Sequence, residues 1–484
     1  MTRLRHTLAI AALGVSMVAC GSDNPDNGGN GQTPDPGKPS TELSASRNLR
    51  RSIEIIDAAI GNYMEGDGMK MARYYNPYTE QRSDETGSVW MYTSSIEAVN
   101  AAMRAMEALK GKGDASLYDA NFARYKELLS KLYAGMEYYK GTFTHTSYTQ
   151  TREWDVYGVN RGRDKGAAEV SGVLNVYDDQ MWIIRELLES YRTTGIQDYL
   201  GKAEYLAEYV LDGWDCTLDA DGNQNGGITW GPGYATKHSC SNGPLISPLV
   251  WLSEIYKGKD DKITCRYIDS DSRRCEKTMD KAGYYLDFAK AVYDWQKRNL
   301  LVPSTGVYDD FMGGGPDIAY ETVDGVRYRA HSPKPDRVGP AYSYNSGTMI
   351  SGAADLYAAT GDPVYLEDLK ALSDKSFATF AKEGVSHKGF YEFDLNGFNT
   401  WFNGVLMRSY HEALPYNPGN AAYLKAFQDN LDYAYDNFLY GGMLPTSLLG
   451  GWNRDRQRNN TEGMFEFTFG AEYAVLAINQ LNKN

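Results

Sequence analysis

Two adjacent aspartates, Asp178 and Asp179, are the residues of this sequence whose types and spacing best suit bond-breaking chemistry. Successive Cα atoms lie about 3.8 Å apart, so both carboxyl groups can reach one bond at little conformational cost. Close carboxylates repel each other, which raises the pKa of one and keeps it protonated while the other ionises. Retaining hydrolysis of a glycosidic bond uses such a pair, about 5 Å apart. The residues themselves do not say which carboxyl group takes which role.

The acid pair precedes a run of apolar residues with helical spacing, made of Ile183, Ile184, Leu187, Leu188 and Tyr191. This spacing predicts a helix over 176–194 with the pair in its first turn. Free N–H groups and the helix dipole favour negative charge there. The alternative is that the two aspartates only cap the helix.

Helical periodicity recurs along the chain and predicts twelve helices, whereas no convincing alternating strand pattern is found. The predicted ranges are 48–62, 92–109, 116–140, 176–194, 197–212, 246–257, 277–299, 346–360, 363–382, 402–414, 420–438 and 465–481. Related turns precede or open three odd-numbered helices, at 194–200, 360–366 and 418–424. They indicate weak internal repeats of a helical hairpin.

The even-numbered helices begin with small polar and aromatic residues instead. In a closed ring of six hairpins, these alternate helices would form the inner wall, and their N-termini would open into one polar, aromatic-lined cavity. Three long segments, 141–175, 213–242 and 300–343, lead into inner helices and would rim this mouth. The alternative is a superhelical repeat scaffold that binds peptides or glycans on its concave face.

Candidate ligand-binding residues are the aromatic and polar side chains at these helix starts and in the long segments. They are Trp90, Tyr177, Trp230, Asn242, Asp309, Asp310, Tyr344, Asn345 and Trp401. Trp230 would be a platform for a sugar ring. Asn242 either caps its helix or binds a ligand hydroxyl. Asp309 and Asp310 belong to a second YDD sequence, which suits a turn or a substrate-facing rim.

The composition narrows the ligand class. A net charge of -14 disfavours nucleic acid and anionic membrane surfaces, so a neutral ligand fits better. The 38 Tyr and 9 Trp suit sugar rings, and they equally suit a helix-rich core.

The N-terminus has the pattern of an export signal. Arg3, Arg5 and His6 precede the apolar run 8–18, and the sequence MVAC resembles a bacterial lipobox ending at Cys20. Residues 1–20 are therefore predicted to be a lipoprotein signal peptide, with Cys20 lipidated. The Gly-, Pro- and Asp-rich stretch 21–45 is predicted to be a disordered tether, and 46–484 a single catalytic domain. An outer-membrane lipoprotein, exposed at the cell surface and touching the membrane only through its lipid, is expected.

Four further cysteines, Cys216, Cys240, Cys265 and Cys275, would lie in an oxidising compartment. Pairing Cys265 with Cys275 would close a short loop and Cys216 with Cys240 a longer one, but three connectivities and free thiols all stay open. No cysteine pair has zinc-site spacing and the six histidines do not cluster, so no metal is predicted.

Six stretches in order resemble glycoside hydrolase family 76, the α-1,6-mannanases. They are YDDQMW at 177–182, WDCTLDADGNQNGGITW at 214–230, SNGP at 241–244, YLDFAKAVYDW at 285–295, YSYNSGTMISGAADLYAATGD at 342–362 and FNGVLMRSY at 402–410. The resemblance implies an all-α (α/α)6 barrel and retaining endo-hydrolysis of α-1,6-linked mannan backbones. It also implies Asp178 as nucleophile and Asp179 as acid/base. No cofactor is expected, and the protein is expected to be a monomer.

The family includes fungal wall members thought to act as transglycosidases, so the resemblance fixes the bond type better than the acceptor. The chain departs from the family pattern at Met181 and at Asp310, where Gly is common, and Asp310 is expected to alter subsite preference. Two alternatives stay open. One is a non-catalytic glycan-binding surface lipoprotein. The other is an unsaturated uronyl hydrolase on a similar barrel, for which Arg161, Arg163 and Lys165 are the local basic candidates.

Overall fold

A computed structural model describes residues 44–481 of the chain. These residues fall within one compact unit, which spans Leu43–Asn484. The predicted signal peptide, the lipidation site Cys20 and nearly all of the predicted tether lie outside the described residues. The last two residues of the predicted tether, Ser44 and Ala45, already belong to the first helix.

All twelve predicted helices are confirmed, with most boundaries shifted by a few residues. They are α1 Ser44–Tyr63, α2 Val89–Gly111, α3 Ser116–Met136, α4 Tyr177–Thr194, α5 Gln197–Asp212, α6 Gly243–Tyr256, α7 Lys281–Leu300, α8 Ser343–Thr360, α9 Pro363–Phe380, α10 Asn399–Ala413, α11 Asn420–Phe438 and α12 Gly463–Leu481.

The even-numbered helices pack side by side in a closed ring, in the order α2, α4, α6, α8, α10, α12 and back to α2. Odd-numbered helices pack against this ring from outside: α3 on α2, α5 on α4, α7 on α6, α9 on α8, α11 on α10, and α1 between α12 and α2. Inner helices therefore have few exposed residues, and α6 and α12 are buried along almost their whole lengths. This is the predicted (α/α)6 barrel, and its closure rules out the open superhelix.

Two of the three repeated turns share one backbone device. Gly195 and Gly361 end α4 and α8 in the left-handed conformation, with φ of 70° and 71°. A glycine is favoured there because a Cβ would crowd the backbone. Gly419, in the third turn, has a φ of -57° and does not share this role.

Sixteen short strands decorate the connections between the described helices, a feature that the sequence analysis missed. They are β1 Met64–Glu65, β2 Lys70–Met71, β3 Tyr74–Asn76, β4 Gln81–Arg82, β5 Lys140–Thr146, β6 Thr151–Tyr157, β7 Lys237–His238, β8 Lys262–Ile268, β9 Arg274–Asp280, β10 Phe311–Gly313, β11 Ala319–Val323, β12 Val326–Ala330, β13 Asp336–Val338, β14 Ala381–Glu383, β15 Tyr391–Phe393 and β16 Thr461–Glu462. They form five two-stranded ribbons and two three-stranded sheets, β13–β10–β7 and β16–β3–β4.

Two predicted helix ends are wrong because they run into these strands. The helix predicted to reach residue 140 ends at Met136, where the chain continues as a 3-10 turn over Glu137–Tyr139 and then enters the β5–β6 hairpin. The helix predicted from residue 277 begins at Lys281, since the preceding residues pair in the β8–β9 hairpin. Both hairpins are mostly polar and only partly buried, so they lack the apolar alternation that marks a strand in sequence.

The four cysteines of the described chain are free thiols. In the β8–β9 hairpin, Cys265 lies opposite Lys277 and Cys275 lies opposite Tyr267. The two cysteines are therefore not cross-strand neighbours. Neither of the two pairings considered from the sequence is formed. Within 44–481, no helix is long and apolar enough to cross a membrane.

Candidate active site

The acid pair lies in the first turn of α4, as the helical spacing predicted. The N-cap position is Val176, which has no capping side chain, so neither aspartate serves as the N-cap. The backbone N–H groups of Asp178 and Asp179 instead help to lower the pKa of the Asp178 carboxyl group. The pair is free to face the barrel mouth, and the interpretation of a simple cap is wrong.

Both carboxyl groups border a cavity of about 530 Å³ at the N-terminal end of the inner helices. Nearly half of its lining residues are aromatic. The aromatic lining residues are Trp90, Trp182, Trp230, Tyr234, His238, Tyr342, Tyr344, Phe398, Trp401 and Phe402. Several of them pack on each other: the Trp90 ring lies 5.1 Å from that of Trp401, and the Tyr344 ring stacks on Phe402 at 4.3 Å.

The rest of α4 is fixed in the barrel by buried ionic contacts below this cavity. Arg185 Nη2 lies 2.6 Å from Glu412 on α10, and Glu186 accepts a 2.8 Å hydrogen bond from Asn100 on α2. Burial alone would raise the pKa of Glu412, but Arg185 and its neighbours outweigh it and lower that pKa to about 2. The helix that carries the acid pair is thus held on two sides.

The segment before α6 places Trp230 beside the acid pair. The N–H of Tyr177 donates to the Trp230 carbonyl at 2.8 Å, which ties this segment to the start of α4. Asn242 fixes the same segment from behind, since its side chain bonds both the N–H and the carbonyl of Ile228. Two buried contacts therefore determine where the Trp230 indole stands.

The two carboxyl groups of the acid pair differ in pKa because only Asp178 has groups nearby that offset the effect of burial. Burial raises the pKa of Asp178 to about 6, against the lowering effect of the Cys240 thiol, the Trp230 indole and nearby N–H groups. Asp179 has no comparable donors, so burial and the Asp178 charge raise its pKa well above the ordinary value. The pKa of a third carboxyl group, that of Asp310, is raised to about 7 by burial and by the charges of Asp178 and Asp309. Asp178 is accordingly the acid of the adjacent pair that ionises more easily.

Five of the nine residues predicted to bind ligand line the cavity, and four do not. The lining residues are Trp90, Trp230, Asp310, Tyr344 and Trp401. Their roles in binding remain predictions.

The four other residues lie outside the lining. Tyr177 is fully buried and its hydroxyl lies 3.2 Å from His145 Nε2. Asn242 supports Ile228, as described above, and makes no cap hydrogen bond. Asn345 is fully buried outside the lining. Asp309 pairs with Arg337 at 3.2 Å. All four belong to helix starts or to the connecting segments, but the sequence could not tell which side of the backbone each faces.

Several lining residues were missed. Trp182 follows Asp178 by four residues, and positions i and i+4 share a helix face, so the signal for it was present. Tyr342 stands at a helix start that the sequence analysis recognised. Cys240 and His238 carry no such signal, because their positions depend on the β7–β10 pairing.

One of the six inner-helix starts does not reach the cavity. The residues just before α12 form β16. This strand pairs with β3, which belongs to the segment between α1 and α2, so the start of α12 is joined to that segment. Glu462 there is engaged by Arg73 at 3.2 Å. The cavity is therefore built by five inner-helix starts and their preceding segments.

The lining contains no lysine and no arginine. Arg161, a candidate for holding a uronate, instead lies over the Tyr138 ring and donates to the Gly68 carbonyl. Among residues 44–481, no three His, Cys, Asp or Glu side chains cluster in a way that would hold a metal ion.

The sequence-family model described as glycosyl hydrolase family 76 matches residues 276–475 of the chain. The match covers less than half of the chain, which therefore resembles this family over that stretch. The match runs from β9 into α12, so it includes α7 to α11 and most of α12, and the acid pair lies before it.

A curated relative of this chain is a mannan endo-1,6-alpha-mannosidase of Candida glabrata. It is 25% identical over 167 residues, which are 34% of this chain and 29% of that protein. The match thus spans less than a third of the relative's length.

Solved structures of similar fold cover about nine tenths of the chain. A family 76 mannosidase of Bacteroides thetaiotaomicron has a TM-score of 0.66 at 20% identity, covering 90% of this chain and 100% of its own. An α-1,6-mannanase of Salegentibacter has a TM-score of 0.58 at 18% identity, covering 88% and 98%. An inactive variant of that enzyme, with two adjacent aspartates changed to asparagine, is in complex with α-1,6-mannotriose; its TM-score is 0.57 at 17% identity, covering 89% and 99%. At these identities the likeness establishes the fold.

Proposed function

We propose that this protein is a retaining endo-acting glycoside hydrolase that cleaves α-1,6-mannosidic bonds in mannan backbones. The observation that carries the proposal is the pair of adjacent carboxyl groups, one half-buried and one buried, which have separated pKa values and line an aromatic cavity. The adjacent aspartates replaced in the inactive Salegentibacter variant support the same assignment.

The separation of pKa values suggests the division of labour. Asp178, the more easily ionised acid, attacks the anomeric carbon as its carboxylate forms a covalent glycosyl ester. Asp179, held protonated, gives its proton to the departing glycosidic oxygen. In the second step Asp179 takes a proton from water, which attacks the anomeric carbon and releases Asp178. These roles agree with those implied by the family resemblance.

The lining favours a neutral sugar as the substrate. Aromatic rings offer flat apolar faces for pyranose rings, and the absence of lysine and arginine from the lining leaves no partner for a uronate. This observation disfavours the unsaturated uronyl hydrolase. The non-catalytic alternative is disfavoured because burying two carboxyl groups side by side is costly, and glycan binding alone does not need it.

A substrate panel tests the proposal. Linear α-1,6-mannan, unsaturated uronides and α-1,4-linked glucan are incubated with the protein, and products are separated by chromatography. We expect oligosaccharides from the α-1,6-mannan alone. Proton NMR of the first product is expected to show the α anomer before mutarotation, whereas an initial β anomer would refute retention. Calorimetric binding of mannan without any product would favour the non-catalytic alternative.

We also propose that Cys20 is lipidated, that 21–43 tethers the domain to the outer membrane at the cell surface, and that the domain works as a monomer on polymeric mannan. The lipobox-like MVAC sequence supports this. Labelling of cells with a fatty-acid probe is expected to mark the protein and not its Cys20→Ser variant. Protease added to intact cells is expected to remove the domain, and gel filtration to give one chain per particle.

A further inference from the structure

A second pocket, of about 380 Å³, lies beside the catalytic cavity between the starts of α8 and α10. Its size is in the range of small-ligand sites, about 300 to 1,000 Å³. It reaches outward to the last turn of the outer helix α9 and to the β14–β15 hairpin. Its lining includes Tyr342, Thr379, Lys382, Val385, Phe393 and Asp394.

The lining of the two spaces shares one residue, Tyr342. Its half-buried ring lies 5.2 Å from that of Phe402 on the cavity side. Asp310 on the cavity side and Asp394 on the pocket side both add to the burial that raises the Tyr342 pKa. The Tyr342 side chain therefore separates the catalytic cavity from the second pocket.

The second pocket combines apolar surface with fixed polar groups. Val385 is 69% exposed at the β14–β15 hairpin, and the rings of Phe380 and Phe393 are partly open. Asp394 accepts from Asn399 Nδ2 at 2.8 Å, and the Asp394 carbonyl accepts from Asn403 Nδ2 at 3.0 Å. These bonds hold acceptors in place beside apolar surface, which is the mixture that a neutral pyranose ring needs.

We propose that this second pocket holds a hexosyl side branch of the mannan chain whose backbone occupies the catalytic cavity. The inference rests on the proposed function. A mannan backbone that occupied both the catalytic cavity and the second pocket would need an open channel between them, whereas the two linings share only Tyr342. A hexosyl branch is joined to the backbone by a single glycosidic linkage, so only that linkage has to pass Tyr342. The pocket also leads away from the ring of inner helices toward the outer helices.

The test blocks the pocket without touching the catalytic cavity. Thr379→Trp adds bulk at the end of α9 inside the pocket, and Lys382→Ala removes a lining amine without adding bulk. Ala378→Trp is the matched control, since the exposed Ala378 is on the same helix outside the lining. For each variant, kcat/KM is measured on intact branched mannan and on enzymatically debranched α-1,6-mannan.

We expect Thr379→Trp to lower kcat/KM on branched mannan about threefold to tenfold, as for one lost ring contact, and to leave debranched mannan within about twofold. Lys382→Ala should change the same ratio in the same direction, and Ala378→Trp should not change it. An unchanged ratio, or an equal loss on both substrates, would overturn the proposal; the equal loss would indicate a backbone subsite. If the wild-type protein cleaves neither mannan, the proposed function itself fails and this inference falls with it.

Discussion

The Lys237 ammonium group lies 2.8 Å from the Asp215 carboxylate, and both side chains are buried. His331 Nδ1 lies 2.7 Å from the same carboxylate. Burial alone would raise the pKa of Asp215, but Lys237 and His331 outweigh it and lower that pKa to about 2. Asp215 and Lys237 lie near the two ends of the segment 213–242, which carries Trp230. This ion pair therefore fixes one wall of the catalytic cavity.

Lys237→Met is expected to lower the free energy of unfolding by about 3 kcal/mol, because it leaves the buried Asp215 carboxylate without its main partner. Activity should fall as well, since the segment that carries Trp230 loses its internal tie. Urea unfolding at pH 7 measures the first effect, and initial rates on α-1,6-mannan measure the second.

Lys425→Met is the control for that substitution. Lys425 pairs with Asp429 at 2.6 Å on the surface of α11, and exposed pairs of this kind contribute less than about 1 kcal/mol. Equal losses of stability in the two variants would show that the Lys237–Asp215 pair has no special role.

Cys240→Ala is expected to move the acidic limb of the kcat/KM profile to higher pH by about half a unit. The thiol of Cys240 donates toward the Asp178 carboxylate and thereby lowers its pKa. Without the thiol, the ionised form of Asp178 loses a donor and its pKa rises above about 6. Because Asp178 must be ionised to attack, activity is then lost at a higher pH as the solution is acidified.

Cys216→Ala provides the matched thiol deletion. Cys216 is also buried, but it lines a separate small pocket beside Asp212. Its removal should leave the acidic limb in place. A shift of the same size in both variants would mean that the effect is not transmitted through Asp178.

Glu472→Gln is expected to reduce the loss of stability at alkaline pH. Burial, with the nearby Glu97, raises the pKa of Glu472 from 4.5 to about 8. The folded state therefore keeps a proton that the unfolded chain has released, so stability falls as the pH rises from about 4.5 to 8 and this contribution changes no further above it. Its size is of the order of 2 to 5 kcal/mol.

Urea unfolding at pH 6 and pH 9 checks this. The wild-type protein should lose more stability between these values than Glu472→Gln, although Glu466, with a pKa near 8, keeps part of the slope in both. The exposed Glu127→Gln should follow the wild type. Parallel slopes for wild type and Glu472→Gln would contradict the assignment of a protonated Glu472.

The sequence predicts the barrel well because its signals are local. Helical periodicity and the alternation of polar and apolar helix starts are properties of single segments, and together they imply inner and outer rings. The acid pair was found in the same way, since its two members are adjacent in the chain. Trp182 was within reach of the same reasoning, because it follows Asp178 at helical spacing.

The remaining site residues depend on contacts between distant segments. His238 and Cys240 reach the cavity because β7 pairs with β10, and these two strands lie about seventy residues apart in sequence. Asn242 looks like a ligand-binding or capping residue in sequence, but the approach of Ile228 commits its side chain to a structural bond. Register and facing of this kind are set by tertiary packing, which the hydrophobic pattern of one segment does not encode.

The most direct measurement compares the initial rates of oligosaccharide release from linear α-1,6-mannan by the wild type, Asp178→Asn and Asp179→Asn. Each substitution keeps the side-chain shape and removes one carboxyl group, so each should lower kcat at least about a hundredfold. Asp198→Asn, in the first turn of the outer helix α5, is the matched control and should keep the wild-type rate. Undiminished turnover by either Asp178→Asn or Asp179→Asn would contradict the assignment of the catalytic pair.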